Sequence, residues 1–200
     1  AGLTVDYGTA VELVGRLSGA HGAGVAGRPV VVVARPAAGI GGAPERRRVL
    51  TGPGGRFEIR LPPGTSRRVT VSFHGGAGFG PAPRRSLALL VRAAVSLAAD
   101  PTDLRTGEAI RLHGRVRLGP VHLAGRGKLV TIQYLERDSG RWRPALVIHT
   151  GRTGRFDARY RFRYITGEAL IRLRATALPE AGWPYASGSS APVTVEVRGG

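Results

Sequence analysis

The chain has 200 residues, 42% of them hydrophobic, with 31 Gly, 14 Pro and a formal net charge of +17 at pH 7. That length allows one or two domains of about 100–200 residues each, and the ordinary apolar fraction excludes wholesale disorder despite the charge. No apolar run approaches the roughly 20 residues of a membrane-spanning helix, and the absence of Cys excludes a disulfide framework, a thiolate zinc site and a thiol nucleophile.

The predicted elements are strands. Leu3, Thr4, Val5, Asp6 and Tyr7 form a short extended segment suited to pairing with the sheet edge of another subunit. Val11, Leu13 and Leu17 follow with apolar residues at odd positions. Gly22-Ala-Gly24-Val-Ala-Gly27 matches a dinucleotide fingerprint letter for letter, but Arg28-Pro29 and a valine run follow it where the fingerprint needs a helix. We read it as a loop. Val30 to Val33 is a fully apolar strand, and Phe57, Ile59 and Leu61 alternate in the next one. Gly and Pro punctuate these runs at Thr51–Gly55, Leu61–Gly64 and Gly75–Gly80. Residues 86–99 are rich in helix formers but read as a closing strand running into the first strand of the next module. Beyond it, Ile110, Leu112, Gly114 and Val116 alternate with Arg111, His113, Arg115 and Arg117. Phe156, Ala158, Tyr160, Phe162 and Tyr164 alternate likewise with Arg155, Asp157, Arg159, Arg161 and Arg163, and Ile171 and Leu173 with Arg172 and Arg174. A period of two marks strands with one buried face.

The chain also repeats itself. Thr51-Gly-Pro-Gly-Gly-Arg-Phe57 aligns with Thr150-Gly-Arg-Thr-Gly-Arg-Phe156 at a shift of 99, as does Gly8-x-x-Val11-x-Leu13-x-Gly15-Arg16 with Gly107-x-x-Ile110-x-Leu112-x-Gly114-Arg115. Ala26-Gly27-Arg28 matches Ala124-Gly125-Arg126 at a shift of 98. Three blocks in one order at near-constant spacing imply two homologous modules, residues 1–93 and 94–200. Roughly seven short strands per module with frequent turn signals predict an all-β fold of two tandem antiparallel β-sandwiches. The Thr-Gly-x-x-Gly-Arg-Phe hairpin and the Leu61-Pro-Pro-Gly64 turn resemble those of bacterial immunoglobulin-like and carboxypeptidase-regulatory (transthyretin-like) tandem surface domains of the actinobacterial type. The resemblance implies secreted or surface-attached modules serving as spacers, adhesion domains or fibre subunits, with no catalytic residues.

Nothing in the remaining chemistry assembles into a reaction centre. His74-Gly75-Gly76 has no G-x-S-x-G elbow to accompany it. The five His at 21, 74, 113, 122 and 149 have no metal-ligand spacing, and Asp100 and Asp103 supply too few oxygens for calcium. No metal or other cofactor is expected, nor an enzyme. Trp142 and Trp183 are expected to cap the ends of cores. With no Asn, a Lys–Asn isopeptide staple is impossible, and a Lys–Asp version has only Lys128 available. That single lysine, one Gln and an Arg-, Ala- and Gly-rich composition reflect a GC-rich genome, and also suit a thermostable chain. No charged-then-apolar leader is present, so a secretion signal is expected to have been removed or never to have existed.

Residues 1–93 carry a net +9 and residues 94–200 a net +8, so neither half is a special basic tail. If the two Arg-alternating strands of the second module are neighbours, Arg111, Arg115, Arg117, Arg159, Arg161 and Arg163 form a ladder suited to a polyanion. Tyr160, Phe162 and Tyr164 fall on the opposite phase, so no exposed aromatic platform for nucleic acid is expected. The sequence therefore predicts a non-enzymatic, extracellular structural protein, a spacer or head-to-tail fibre subunit with other copies or surface proteins as partners. The alternative is a basic module binding an anionic cell-wall polymer.

Overall fold

The computed structural model describes residues 2–37, 42–76, 78–123 and 127–199, which fall into two compact units. Unit 1 comprises Ala1–Arg92 together with Ala181–Tyr185, and unit 2 comprises Ala93–Glu180 with Ala186–Gly200. The chain is all-β, two tandem sandwiches of the immunoglobulin-like kind, and each is described by itself.

Unit 1 contains β1 (Gly2–Val5), β2 (Val11–Arg16), β3 (Pro29–Pro36), β4 (Glu45–Leu50), β5 (Arg56–Leu61), β6 (Arg67–Phe73) and β7 (Ala82–Val91). Five of these form one sheet in the order β1-β7-β6-β3-β4, and β2 and β5 form a two-stranded sheet facing it. The valine run of β3 hides an alternation that composition alone does not reveal. Val30 and Val32 are 1% exposed and point into the core, whereas Val31 and Val33 lie half-buried on the outer face. Ile59, Leu61, Val69 and Leu89 complete a core drawn entirely from unit 1. At about 25 cal/mol per Å² of apolar surface removed from water, such alternation decides which face turns inward.

Unit 2 contains β8 (Val95–Asp100), β9 (Asp103–Arg105), β10 (Ala109–Val116), β11 (Leu129–Leu135), β12 (Trp142–His149), β13 (Arg155–Arg161), β14 (Glu168–Ala177), β15 (Gly188–Ser189) and β16 (Val193–Arg198). One sheet runs β13-β10-β8 and the other β12-β11-β14-β16-β9, with β15 on β14. Setting the first, third and sixth strands against the others is the Greek-key partition of an immunoglobulin-like sandwich. Ile110, Leu112, Val130, Ile132, Leu173 and Val195 are at most 1% exposed and fill its centre. The residue 86–99 stretch divides as expected into the end of β7 and the start of β8.

The repeated Thr-Gly-x-x-Gly motif is a hydrogen-bonded turn built twice. In unit 1 the Gly52 N–H donates to Arg56 O (2.6 Å), Gly55 N–H to Gly52 O (3.0 Å) and Leu17 N–H to Gly55 O (2.8 Å). In unit 2 Gly151, Gly154 and Val116 make the corresponding bonds at 2.7, 2.9 and 2.8 Å. Buried Thr51 accepts from Arg28 N–H through Oγ1 at 2.9 Å, and Thr150 Oγ1 accepts from Lys128 N–H at 3.0 Å. These bonds make Gly127-Lys128 the structural counterpart of Gly27-Arg28. The Ala124–Arg126 block proposed from the sequence lies outside the described residues.

Candidate functional site

The two Arg-bearing strands of unit 2 are neighbours. β10 and β13 pair antiparallel, with Arg111 opposite Arg159 and Arg115 opposite Arg155. Like charges directly opposed cost a few tenths to about 1 kcal/mol per pair. Asp157, diagonal to Arg111, relieves one of them: Arg111 Nε donates to Asp157 Oδ2 at 2.8 Å. This bond and the accompanying attraction raise the Arg111 pKa and hold the Asp157 carboxyl below its usual value. On the other side of β10, Asp100 sits opposite Arg111. Arg161 Nη1 donates to Gly107 O at 2.8 Å. Arg117 and Arg163 lie just beyond opposite ends of the paired strands, so the six arginines do not form one cluster.

Two shallow hollows result, one around Arg111, Arg115, Arg155 and Asp157, the other around Arg159, Arg161, Arg163 and Tyr164. Arg155 belongs to the ladder, although the sequence reading left it out of the candidate set. A correction concerns Tyr164. β13 ends at Arg161, the alternation lapses after Phe162, and Tyr164 is 92% exposed beside Arg163.

A more uniform basic surface lies on unit 1, where the sequence reading placed none. On the outer face of its five-stranded sheet, Val31 is opposite Arg48, Val33 opposite Arg46 and Arg35 opposite Arg68. Arg35, Arg46, Arg68, Arg84, His74 and Thr70 line a hollow of about 250 Å³. Among the described residues no ion pair involves Arg35, Arg46, Arg48, Arg68 or Arg84; Glu45, at the edge, pairs with Arg47. Five guanidinium groups without a carboxylate give a stronger positive field than a face carrying Asp157. The signal was present as Arg46 and Arg48 on one phase of β4, but Arg35, Arg68 and Arg84 join them only through long-range strand pairing.

Leu3, Thr4 and Val5 lie in β1, which runs parallel to β7 with Leu3 opposite Leu89 and Val5 opposite Val91. Asp6 pairs with Arg92 at 3.1 Å, and the Tyr7 ring lies 5.6 Å from that of Tyr185. One edge of this segment is therefore already engaged within unit 1, and the other is the free edge of the sheet.

The remaining candidates take structural positions. Gly22 and Gly27 adopt positive φ in a loop that leads into β3, with no helix after them. Asp103 forms an ion pair with Arg198 at 3.2 Å. Among the described residues no group of three or more His, Asp or Glu side chains converges. Trp183 is buried in contact with the Tyr185 ring, while Trp142 is half-buried on β12 beneath the Arg174 guanidinium, 4.2 Å from its ring centre. Lys128 is 1% exposed; its Nζ donates to Leu178 O at 2.5 Å and pairs with Glu180 at 2.9 Å. Burial pushes its pKa down, partly offset by Glu180.

No protein-family model matches the chain, and no curated protein matches it. Among solved structures, the Yersinia pseudotuberculosis adhesin InvE aligns over 96% of this chain and 56% of its own, at 15% identity and a TM-score of 0.37. The D0-D1 domain of intimin aligns over 96% and 93%, at 16% identity and TM-score 0.32. A tetra-tandem repeat from the extending region of a large adhesion protein aligns over 97% and 49%, at 16% identity and TM-score 0.34. The chain thus spans about half the length of two of these three. The superpositions are loose, and the fold assignment rests on the strand order given above.

Proposed function

We propose that the chain is a non-enzymatic, extracellular structural segment of a surface protein of the actinobacterial type, acting as a spacer or fibre subunit. The observation that carries this reading is the building of one sandwich twice in sequence, with the same turn cassette and a separate core in each copy. Each such module folds around its own apolar residues, so each is expected to unfold as a separate event. Single-molecule stretching of the 200-residue chain tests it. Two separate rupture events are expected, each releasing roughly 30 nm of chain at about 3.6 Å per residue. A single event releasing the whole length would overturn the reading.

A second reading is favoured by the Arg35, Arg46, Arg48, Arg68 and Arg84 face of unit 1. Five unneutralised guanidinium groups support binding of an anionic cell-surface polymer, with bidentate contacts to phosphate or carboxylate. This reading moves the preferred contact from unit 2 to unit 1.

A further inference from the structure

The basic face of unit 1 is a basin with a floor of short side chains and a rim of long ones. On the floor, Val33 of β3 lies opposite Thr70 of β6, and Val31 opposite Ser72. Arg46 and Arg48 stand along one side on β4, opposite Val33 and Val31. Arg35 and Arg68 face each other directly at one end. Arg84, next to the Arg85 that faces Val71, and His74 lie toward the other end. Four residues of β6 separate the Arg68 end from Ser72, a span of roughly 13 Å. All five arginines are exposed. The nearby carboxylate, Glu45, belongs to the opposite phase of β4, where it faces Ala34.

Hydrogen-bond donors dominate this basin. Each guanidinium group carries five N–H donors and no acceptor. Thr70 Oγ1 lies 3.2 Å from Ser86 Oγ, so that with Ser86 donating, the Thr70 proton is available to a ligand. Among the described residues that line the hollow there is no Asp, Glu, Asn or Gln to accept a proton, and no Phe, Tyr or Trp to stack on. Each fact disfavours one class of polyanion. A uronate or sulfated glycan brings several hydroxyls per charge, and each needs an acceptor once water is displaced. A single-stranded nucleic acid draws much of its affinity from stacking its bases on aromatic rings. The partner that fits presents acceptor oxygens and little else.

We infer that this basin binds a linear chain of closely spaced phosphate groups with few free hydroxyls, the chemistry shared by inorganic polyphosphate and a polyol phosphate. One phosphate sits between Arg35 and Arg68, whose directly opposed like charges are unfavourable until an anion bridges them. The chain then crosses the floor past Arg46 toward Arg84, with the Thr70 hydroxyl donating to it from below and the Val31 and Val33 methyl groups against its linking atoms. Arginine suits this role because its planar fork matches the oxygen edge of a phosphate. The inference deepens the reading of the unit 1 face as a polymer-binding surface and rests on it.

The test titrates the 200-residue chain with size-matched polyphosphate, poly(glycerol phosphate) and polygalacturonate, and with oligo(dT) and an abasic oligonucleotide of equal length. Both phosphate polymers are expected to bind several-fold tighter than polygalacturonate. Polygalacturonate carries its charges more closely spaced than poly(glycerol phosphate), so that order is not an effect of charge density. The tighter of the two phosphate polymers identifies the source of the phosphate. Oligo(dT) and the abasic strand should bind alike. Arg35→Gln with Arg68→Gln should weaken phosphate-polymer binding at least tenfold and flatten its salt dependence by about one per arginine removed. Arg159→Gln with Arg163→Gln, the same change of charge on unit 2, should weaken it less than twofold. Thr70→Val should weaken the phosphate polymers several-fold and leave polygalacturonate unchanged, and melting curves should show each variant folded. Polygalacturonate binding as tightly as poly(glycerol phosphate), oligo(dT) binding tighter than the abasic strand, or equal losses from the two arginine pairs would each overturn the inference. If all the polymers bind alike and only through the unit 1 face, the polymer-binding reading stands and this inference fails; if none binds through that face, both fail.

Discussion

Tyr185 shows what burial does to a single ionisable group. It is 3% exposed within unit 1, and desolvation, with a smaller contribution from Tyr7, pushes its phenol up to about 12. An unfolded tyrosine ionises near 10. Between those values the unfolded chain has lost a proton that the folded one keeps, so stability falls as pH rises. Denaturant unfolding followed from pH 9 to 12 should show a loss reaching about 2–3 kcal/mol at the top of the window, and Tyr185→Phe should abolish it. Single residues were unevenly legible in the sequence. The inward positions Ile110 and Leu112 followed from their period of two. Burial of Lys128 did not, because Leu178 O, which accepts its hydrogen bond, and Glu180, which pairs with its charge, lie about fifty residues away along the chain.

At the scale of the element, the repeated turn cassette explains why the same letters recur. Gly55 and Gly154 adopt φ of 75° and 79°, and a Cβ on either would lie 2.2 Å from the carbonyl oxygen of Leu17 or Val116. A side chain at these sites meets backbone on one side and a strained left-handed conformation on the other. Gly154→Ala should therefore cost roughly 2–4 kcal/mol, measured by chemical denaturation, while Gly140→Ala, with φ of 62° but open space around it, should cost only about 1 kcal/mol. Turns and alternating strands were readable because their causes are local. β4, with the sequence ERRRVL, was not singled out: it is an exposed edge whose partner β3 supplies the apolar contact, so its own pattern is nearly all polar.

For the whole molecule the +17 charge sets the long-range behaviour. If the unit 1 face binds an anionic polymer, retention on heparin should fall steeply between 50 and 200 mM salt, as counterion release requires. Arg46→Glu with Arg68→Glu should then reduce retention more than Arg159→Glu with Arg163→Glu. Equal losses from the two pairs would show a response to net charge alone. The all-β class and the duplication were legible because apolar alternation and motif spacing survive in the linear chain. The relative merit of the basic faces was not, because Asp157 neutralises Arg111 only through a cross-strand diagonal.

The buried state of Lys128 has a practical corollary. It is the chain's sole lysine, and at 1% exposure its amine lies beneath the surface. While the protein is folded, no side chain presents a reachable primary amine. Reagents and enzymes that act on the lysine ε-amine therefore find no accessible target on the folded segment.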